Sequence, residues 1–168
     1  MLFVKLLHHI ICAIKKMLFK VLYHNRVRFG KRTTFRSRFG VTVEKNGQVD
    51  IGEECFFNDD CSIACMGHVK IGAGTIFGAN VRIYDHNHHF SDPERPIKEQ
   101  GFAIGEVHIG RHCWIASNVT LLKGCWIGDN CMIGAGCVIA ESIPDNTVVK
   151  LVQQKQCSAL RSRLNGND

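Results

Sequence analysis

An aliphatic residue recurs every six positions in the second half of the chain, and this period constrains the fold more than any other feature. The residues in phase are Ile109, Ile115, Leu121, Ile127, Ile133 and Ile139. A small or apolar residue follows each of them by four positions: Cys113, Val119, Cys125, Cys131, Cys137 and Ile143. A period of six matches neither an α-helix nor a long alternating strand. It predicts a chain that turns a corner every six residues and points one aliphatic side chain inward on each side.

The same rhythm extends towards the N-terminus. It includes one triplet at Ile51, Phe57 and Ile63, a second at Ile71, Phe77 and Ile83, and a weaker trace at Phe29, Phe35 and Val41. The coils are therefore predicted to start near residue 29. Glycine or alanine follows the aliphatic residue in five of the six downstream units, which we interpret as tight turns with backbone dihedrals that favour glycine. Three sides close one coil, so Ile109 is predicted to stack on Ile127.

The rhythm breaks between Ile83 and Ile109, where a polar, proline-containing segment is inserted. Such an insertion in a solenoid is pushed out as a loop, and these loops concentrate on the binding face. The segment contains His86, His88 and His89. A neutral imidazole can take a proton from a hydroxyl group near neutral pH, so we expect a general base here. The cysteines of the repeat are predicted to face the core, where thiols stay protonated and unreactive.

The units IGRHCW, IASNVT, IGDNCM and IGAGCV resemble the hexapeptide-repeat acyltransferases, above all the galactoside and maltose O-acetyltransferases and the polysaccharide O-acetyltransferases. The resemblance implies an all-β fold, a left-handed parallel β-helix over residues 29–149 with an extruded loop at 84–106. It also implies a homotrimer that uses acetyl-CoA as cosubstrate and requires no metal. The implied reaction is direct acetyl transfer to a hydroxyl of a sugar or glycan, with a histidine as general base.

The same resemblance assigns site residues. The stretch VRIYDHNH is similar to the family segment that carries the catalytic imidazole, and it places that role on His88, with His86 as the second choice. The stretch IGEECFFNDDCSI resembles the segment with a substrate-contacting asparagine, which falls on Asn58; Asp60 and Trp114 are assigned to the acceptor with it. The positions implied for the pantetheine arm of CoA are Ala116, Ser117 and Ala135.

The chain departs from the family near the phosphates of CoA. Where the family commonly has Thr-Lys, this sequence has Ala140-Glu141, and KLVQQKQCSALR replaces the usual Gly-x-Pro-Ala-Lys tail. Pairing with the phosphates is therefore expected from Lys150 or Arg161, with Lys155 and Arg163 as further candidates.

Three other functions remain open. The same fold could transfer an acyl group to the nitrogen of an amino sugar or an antibiotic, or it could be a non-enzymatic scaffold. The γ-class carbonic anhydrases bind zinc through three histidines on such a fold, but their long-range spacing is not reproduced in this chain.

The N-terminal quarter is strongly basic, with ten Lys/Arg and no Asp or Glu from Met1 to Val43. Within residues 1–28, Leu2 to Tyr23 is predicted to form an amphipathic helix that is too interrupted by lysine to span a bilayer. Two compatible interpretations are that it caps the first coil and packs in the trimer, or that it lies on the inner face of the cytoplasmic membrane. The basic residues lack a nucleic-acid recognition motif.

The remaining predictions concern the C-terminal tail, the cysteines and the location of the protein. Residues 150–168 are expected to form a short helical or irregular tail. The sequence contains no C-x-x-C pair, and no signal peptide with a small-residue cleavage site is recognised. Reduced thiols and a cytoplasmic location are therefore expected.

Overall fold

The protein is a three-sided parallel β-helix of about six turns with a helix at its N-terminal end. The computed structural model describes residues 2–152, with side chains from Leu7 onward except that of His8. The helix α1 spans Leu2–Tyr23, and a short 3-10 turn at His24–Arg26 leads into the first strand. The predicted parallel β-helix with an N-terminal helix is confirmed. The predicted tail lies outside the described residues from position 153 onward.

Three sheets form the faces of the β-helix. The first face contains β1 (Val27–Phe29), β4 (Gln48–Ile51), β7 (His68–Ile71), β12 (Glu106–Ile109), β15 (Trp126–Ile127) and β18 (Ser142–Ile143). The second face contains β2 (Thr34–Phe35), β5 (Phe56–Phe57), β8 (Ile76–Phe77), β13 (Trp114–Ile115), β16 (Met132–Ile133) and β19 (Val148–Val149). The third face contains β3 (Gly40–Val43), β6 (Ser62–Cys65), β9 (Arg82–Tyr84), β14 (Thr120–Leu121) and β17 (Val138–Ile139). We call the turn from the second to the third face the second corner, and the turn from the third to the first face the third corner.

The interior is a set of stacked apolar columns. Ile109 pairs in register with Ile127, as predicted from a coil of eighteen residues. Earlier coils are longer, since Val27 pairs with Val49, and the last is shorter, since Ile133 pairs with Val149. The predicted inward thiols are confirmed, because Cys113, Cys125, Cys131 and Cys137 are all buried. Burial raises the pKa of Cys125 to about 12.

The glycines that follow the inward aliphatic residues are required by close packing, which corrects the dihedral explanation given above. A Cβ atom on Gly110 would lie 2.5 Å from the carbonyl carbon of Gly128 in the next coil. Left-handed backbone dihedrals occur elsewhere in the turns, at positions that stack along two corners. The turn from the first to the second face has them at Arg32, Glu54, Gly74, His112, Asn130 and Asn146, and the second corner has them at Asp60, Asn80, Asn118 and Gly136.

Helix α1 covers the open end of the first coil. Phe19 is buried and its ring lies 6.0 to 6.3 Å from those of Phe29, Phe35 and Phe39. The ammonium group of Lys15 donates to the carbonyl of Phe39 at 3.0 Å, and that of Lys16 to the carbonyl of Thr33. Backbone acceptors at the edge of the solenoid are thus satisfied by the helix. Within residues 2–152, no helix combines the length and the apolar character needed to cross a bilayer.

The insertion leaves the β-helix at the third corner, directly after β9. It begins with β10 (His86–His88) and returns with β11 (Phe102–Ile104), and the two strands pair antiparallel. A short 3-10 turn at Ile97–Glu99 lies between them. The strand pair holds the base of the extruded loop against the body of the β-helix.

Candidate active site

Several residues predicted to contact CoA or the acceptor align along the second corner. In each coil the second-face strand ends at a residue that pairs with its counterpart in the next coil, as Phe57 pairs with Phe77 and Ile115 with Ile133. The residues that follow these strand ends therefore form one row: Asn58, Gly78, Ala116, Gly134 and Lys150. Asn58, Ala116 and Lys150 were assigned to three parts of the site, and they share one edge of the molecule.

Two backbone amide groups at this corner are free to bind a ligand. Ser117 and Ala135 each follow the row by one residue, on successive coils about 4.8 Å apart. Neither N–H group donates a hydrogen bond to another described residue. The side-chain oxygen of Ser117 accepts from the backbone N–H of Ala79 at 3.2 Å, which fixes this turn. The amide groups of a pantetheine arm could accept hydrogen bonds from such donors.

Trp114 lies beside this corner on the second face and is about half exposed. It belongs to an outward row along that face that is largely apolar. The row consists of Thr34, Phe56, Ile76, Trp114, Met132 and Val148. The second face therefore presents a flat apolar strip to its surroundings.

Asp60, predicted to contact the acceptor, is engaged by an arginine. The guanidinium of Arg38 donates to both carboxylate oxygens, at 2.7 and 2.9 Å, and this hydrogen bonding lowers the pKa of Asp60. Both residues line a shallow polar concavity on the third face, together with Asn80, Arg82 and Tyr84. The concavity runs from the second corner towards the histidine-bearing loop.

The two candidate histidines differ in their surroundings. His86 is mostly buried, and its Nδ1 atom lies 2.8 Å from Oδ1 of Asp85. His88 is exposed and pairs in register with Phe102 on the returning strand, with ring centroids 4.4 Å apart. The ammonium group of Lys45 lies 5.0 Å from the centroid of the Phe102 ring.

Asp85 is a further candidate site residue, which was not predicted from the sequence. Its side chain is fully buried and accepts hydrogen bonds from the backbone N–H groups of Met66 and Gly67 as well as contacting His86. The signal in the sequence was an acidic residue directly before the first histidine of the loop. Its two amide partners lie one coil earlier, and the spacing of the repeat does not point to them.

Within one copy of the chain, the predicted site residues form two separate groups. The second-corner residues lie at the start of the third face, and His86 and His88 lie beyond its end. The four-residue strand β6 spans this face, which corresponds to about 13 Å at about 3.3 Å per residue. The polar concavity lies between the groups. Lys150 is exposed at the second corner, whereas Arg161, Lys155 and Arg163 lie outside the described residues.

A zinc site of the carbonic anhydrase kind would need several histidine side chains close together. No group of three or more His, Cys, Asp or Glu side chains among residues 7–152 has the arrangement to hold a metal ion. His108 instead stacks on Trp126, with ring centroids 4.0 Å apart, and His68 bonds to Asp50 at 2.8 Å.

Comparison with protein families identifies the repeat. The family described as bacterial transferase hexapeptide (six repeats) matches residues 106–141. WbbJ of Escherichia coli (strain K12), named for lipopolysaccharide biosynthesis and O-acetyl transfer, is 29% identical over 77% of this chain and 69% of its own length. Nodulation protein L of Rhizobium leguminosarum bv. viciae is 40% identical over 55% of this chain. The matched part is less than half of that protein, at 45%.

Solved structures share the fold at low sequence identity. The hexapeptide-repeat acetyltransferase VCA0836 of Vibrio cholerae, in complex with acetyl-CoA, has a TM-score of 0.65 at 19% identity, over 81% of this chain and 70% of its own. A galactoside acetyltransferase in complex with CoA has a TM-score of 0.57 at 24% identity, over 79% of this chain and 63% of its own. The N-acyltransferase AntD of Bacillus cereus has a TM-score of 0.56 at 16% identity, over 90% and 93%. The chain therefore shares the fold of these acetyltransferases, and residues 106–141 carry the hexapeptide repeat.

Proposed function

We propose that this protein is an acetyl-CoA-dependent O-acetyltransferase that acts on a hydroxyl group of a sugar or glycan. One relationship carries the proposal. A loop extruded from the third corner bears three histidines, and the opposite edge of the same face bears two amide N–H groups that are free within the described chain. A proton acceptor and a binding edge for an acyl donor are thus separated by a polar concavity.

The acyl donor is assigned to the second corner. Ser117 and Ala135 would donate their backbone N–H groups to the pantetheine arm, and Ala116 would line it. Lys150 extends the row by one coil and would pair with the phosphates of CoA. Arg161 stays a second candidate for the phosphates. VCA0836 and the galactoside acetyltransferase, which share the fold, are complexes with acetyl-CoA and CoA, respectively.

The acceptor is assigned to the concavity of the third face. Asn58, Asp60 and Trp114 would contact the sugar, and the first two lie at the corner where the concavity begins. The carboxylate of Asp60 already accepts hydrogen bonds from Arg38. Its remaining lone pairs would accept a hydrogen bond from a sugar hydroxyl. The match to WbbJ, named for lipopolysaccharide biosynthesis and O-acetyl transfer, supports a glycan acceptor.

His88 is proposed as the general base. Its imidazole would take the proton of the acceptor hydroxyl as that oxygen attacks the thioester carbon. The same imidazolium would then return the proton to the departing thiolate sulfur of CoA. A free backbone N–H at the coil corner would stabilise the negative charge that develops on the carbonyl oxygen. His86 is the alternative base, favoured by its contact with the buried carboxylate of Asp85.

The proposed assembly is a homotrimer. The apolar strip on the second face, with Ile76 at 44%, Trp114 at 51% and Val148 at 56% exposed, is a surface that a second copy could cover. If that copy packed its third corner on the strip, its loop would lie near the second corner of the first copy. Eight of the cysteines are free and buried, which supports a reducing, cytoplasmic location.

The test measures transfer of labelled acetyl from acetyl-CoA to a panel of sugars, glycans and amino sugars. His88→Ala is expected to lower turnover by about 10²- to 10⁴-fold while the oligomer mass stays unchanged. His86→Ala is the matched comparison. Full activity of His88→Ala with a loss in His86→Ala would move the base to His86. Full activity of both variants would end the assignment of the base to His86 or His88.

Two outcomes would favour the other functions. Transfer only to amines would make the protein an N-acyltransferase, the activity named for AntD. Failure of acetyl-CoA to bind in isothermal titration calorimetry would favour a non-enzymatic scaffold.

A further inference from the structure

Helix α1 presents its apolar side away from the β-helix. The stripe consists of Leu7, Ile10, Ile14, Met17 and Val21, spaced alternately by three and four residues along one side of the helix. Each of these side chains is between 47% and 67% exposed. The apolar residues that the β-helix does bury, Cys12 and Phe19, lie on the other side. Although α1 caps the first coil, a long apolar surface of the helix therefore stays exposed.

Lys15, Lys16 and Lys20 of the helix lie on the side of the protein body. Lys15 and Lys16 reach backbone carbonyls of the first coil, at Ser37, Phe39 and Thr33. Lys16 and Lys20 line the groove between the helix and the first face. The apolar stripe is thus bordered by cations set back from it, which is the arrangement of a helix that lies in the plane of a membrane interface.

The first coil adds further positive charge at the same end. Arg28, Arg32 and Arg38 are neutralised by carboxylates of the second coil. Lys31 and Arg36 are exposed, and neither forms a salt bridge with another described residue. With Lys20 they leave this end basic, since no acidic residue occurs before Glu44.

This charge distribution selects between two occupants of the apolar stripe. A second copy of α1 would bring two basic ends together, and their repulsion would oppose pairing. A bilayer surface rich in anionic lipid would cover the stripe and attract the cations at once. We propose that the N-terminal end of the β-helix docks on anionic membrane surfaces, with the apolar stripe of α1 inserted at the lipid headgroups. This surface is separate from the candidate active site and does not depend on the proposed reaction.

Vesicle flotation tests the proposal with the full chain. The probes are vesicles of phosphatidylcholine alone and vesicles of phosphatidylcholine with phosphatidylglycerol. The wild type is expected to float with the anionic vesicles and not with the neutral ones. The double variant Ile14→Gln/Met17→Gln should lose at least about tenfold in partition, because two apolar side chains leave the lipid. Val138→Gln on the third face, also exposed, is the matched control and should bind as the wild type.

A second variant tests the charge separately. In Lys20→Gln/Lys31→Gln/Arg36→Gln, each lost cation should lower partition into anionic vesicles by about fivefold. Absence of wild-type binding to anionic vesicles would overturn the proposal, as would unchanged binding of the Ile14→Gln/Met17→Gln variant. A smaller oligomer mass for that variant by light scattering, without vesicle binding by the wild type, would assign the stripe to pairing between copies.

Discussion

The Nδ1 atom of His86 lies 2.8 Å from Oδ1 of Asp85, whose side chain is fully buried. The same carboxylate accepts from the backbone N–H groups of Met66 at 2.9 Å and Gly67 at 2.8 Å, one coil earlier. A single buried side chain thus fixes the start of the extruded loop, orients one histidine and satisfies two backbone donors.

Replacement of Asp85 should destabilise the protein. In Asp85→Ala the N–H groups of Met66 and Gly67 lose their acceptor while they stay enclosed, and each unpaired donor costs about 1–3 kcal/mol. The free energy of unfolding should fall by about 2–4 kcal/mol in urea titrations. Asp85→Asn keeps an acceptor oxygen and should cost less. If His88 is the base, Asp85→Asn should lower turnover far less than His88→Ala does. Equal losses would contradict that assignment and point to His86.

Substitution of Lys150 should weaken cofactor binding without slowing the reaction. Lys150→Ala removes the exposed cation at the end of the second-corner row. A lost charged contact with phosphate should raise the Kd for acetyl-CoA about tenfold, with kcat at saturation unchanged. Lys70→Ala, exposed on the first face, is the control. Equal affinity of Lys150→Ala and the wild type in isothermal titration calorimetry would show that other residues hold the phosphates.

Replacement by alanine should change the stability of the protein differently at Gly110 and at Gly40. A Cβ atom in Gly110→Ala would lie 2.5 Å from the backbone of Gly128, so the coils must shift. We expect a loss of about 1–3 kcal/mol in the free energy of unfolding, as for other overpacked sites. Gly40→Ala meets no atom within 4 Å and should leave stability unchanged or slightly raised. Similar unfolding midpoints for the two variants would refute the close-packing explanation.

The carboxylate of Asp50 should make stability depend on pH in the acid range. Burial alone would raise its pKa, but hydrogen bonds from Arg28, His68 and Gln48 outweigh burial and lower it to about 2. Because the folded pKa is depressed, the stabilisation is complete above about pH 4 and is lost as the pH falls towards 2. Solvent screening at this partly exposed site limits the stabilisation by the Asp50 carboxylate to about 1 kcal/mol. Unfolding titrations across this range should show a smaller pH slope for Asp50→Asn, and an unchanged slope would contradict the argument.

The sequence predicted the solenoid well because its signal is local. One aliphatic residue per side must point inward in every coil, so a period of six appears directly in the order of residues. The inward thiols and the extruded loop followed from the same rhythm and its interruption, and α1 followed from its amphipathic pattern. The reason for the glycines was wrong, because contact between backbones of successive coils cannot be seen along one stretch of chain.

What the sequence alone determined is therefore the three-sided path of the chain and the point where it is interrupted. Only the tertiary structure decided which residues of different coils meet, as Asp85 with Met66 and Arg38 with Asp60 do. It also decided that Lys15 and Lys16 turn towards the first coil and that the apolar side of α1 stays exposed. The physical reason is that coil length varies from 22 residues at Val27 to 16 at Ile133. Lateral neighbours thus depend on the accumulated register of all coils, whereas inward burial depends on each corner separately.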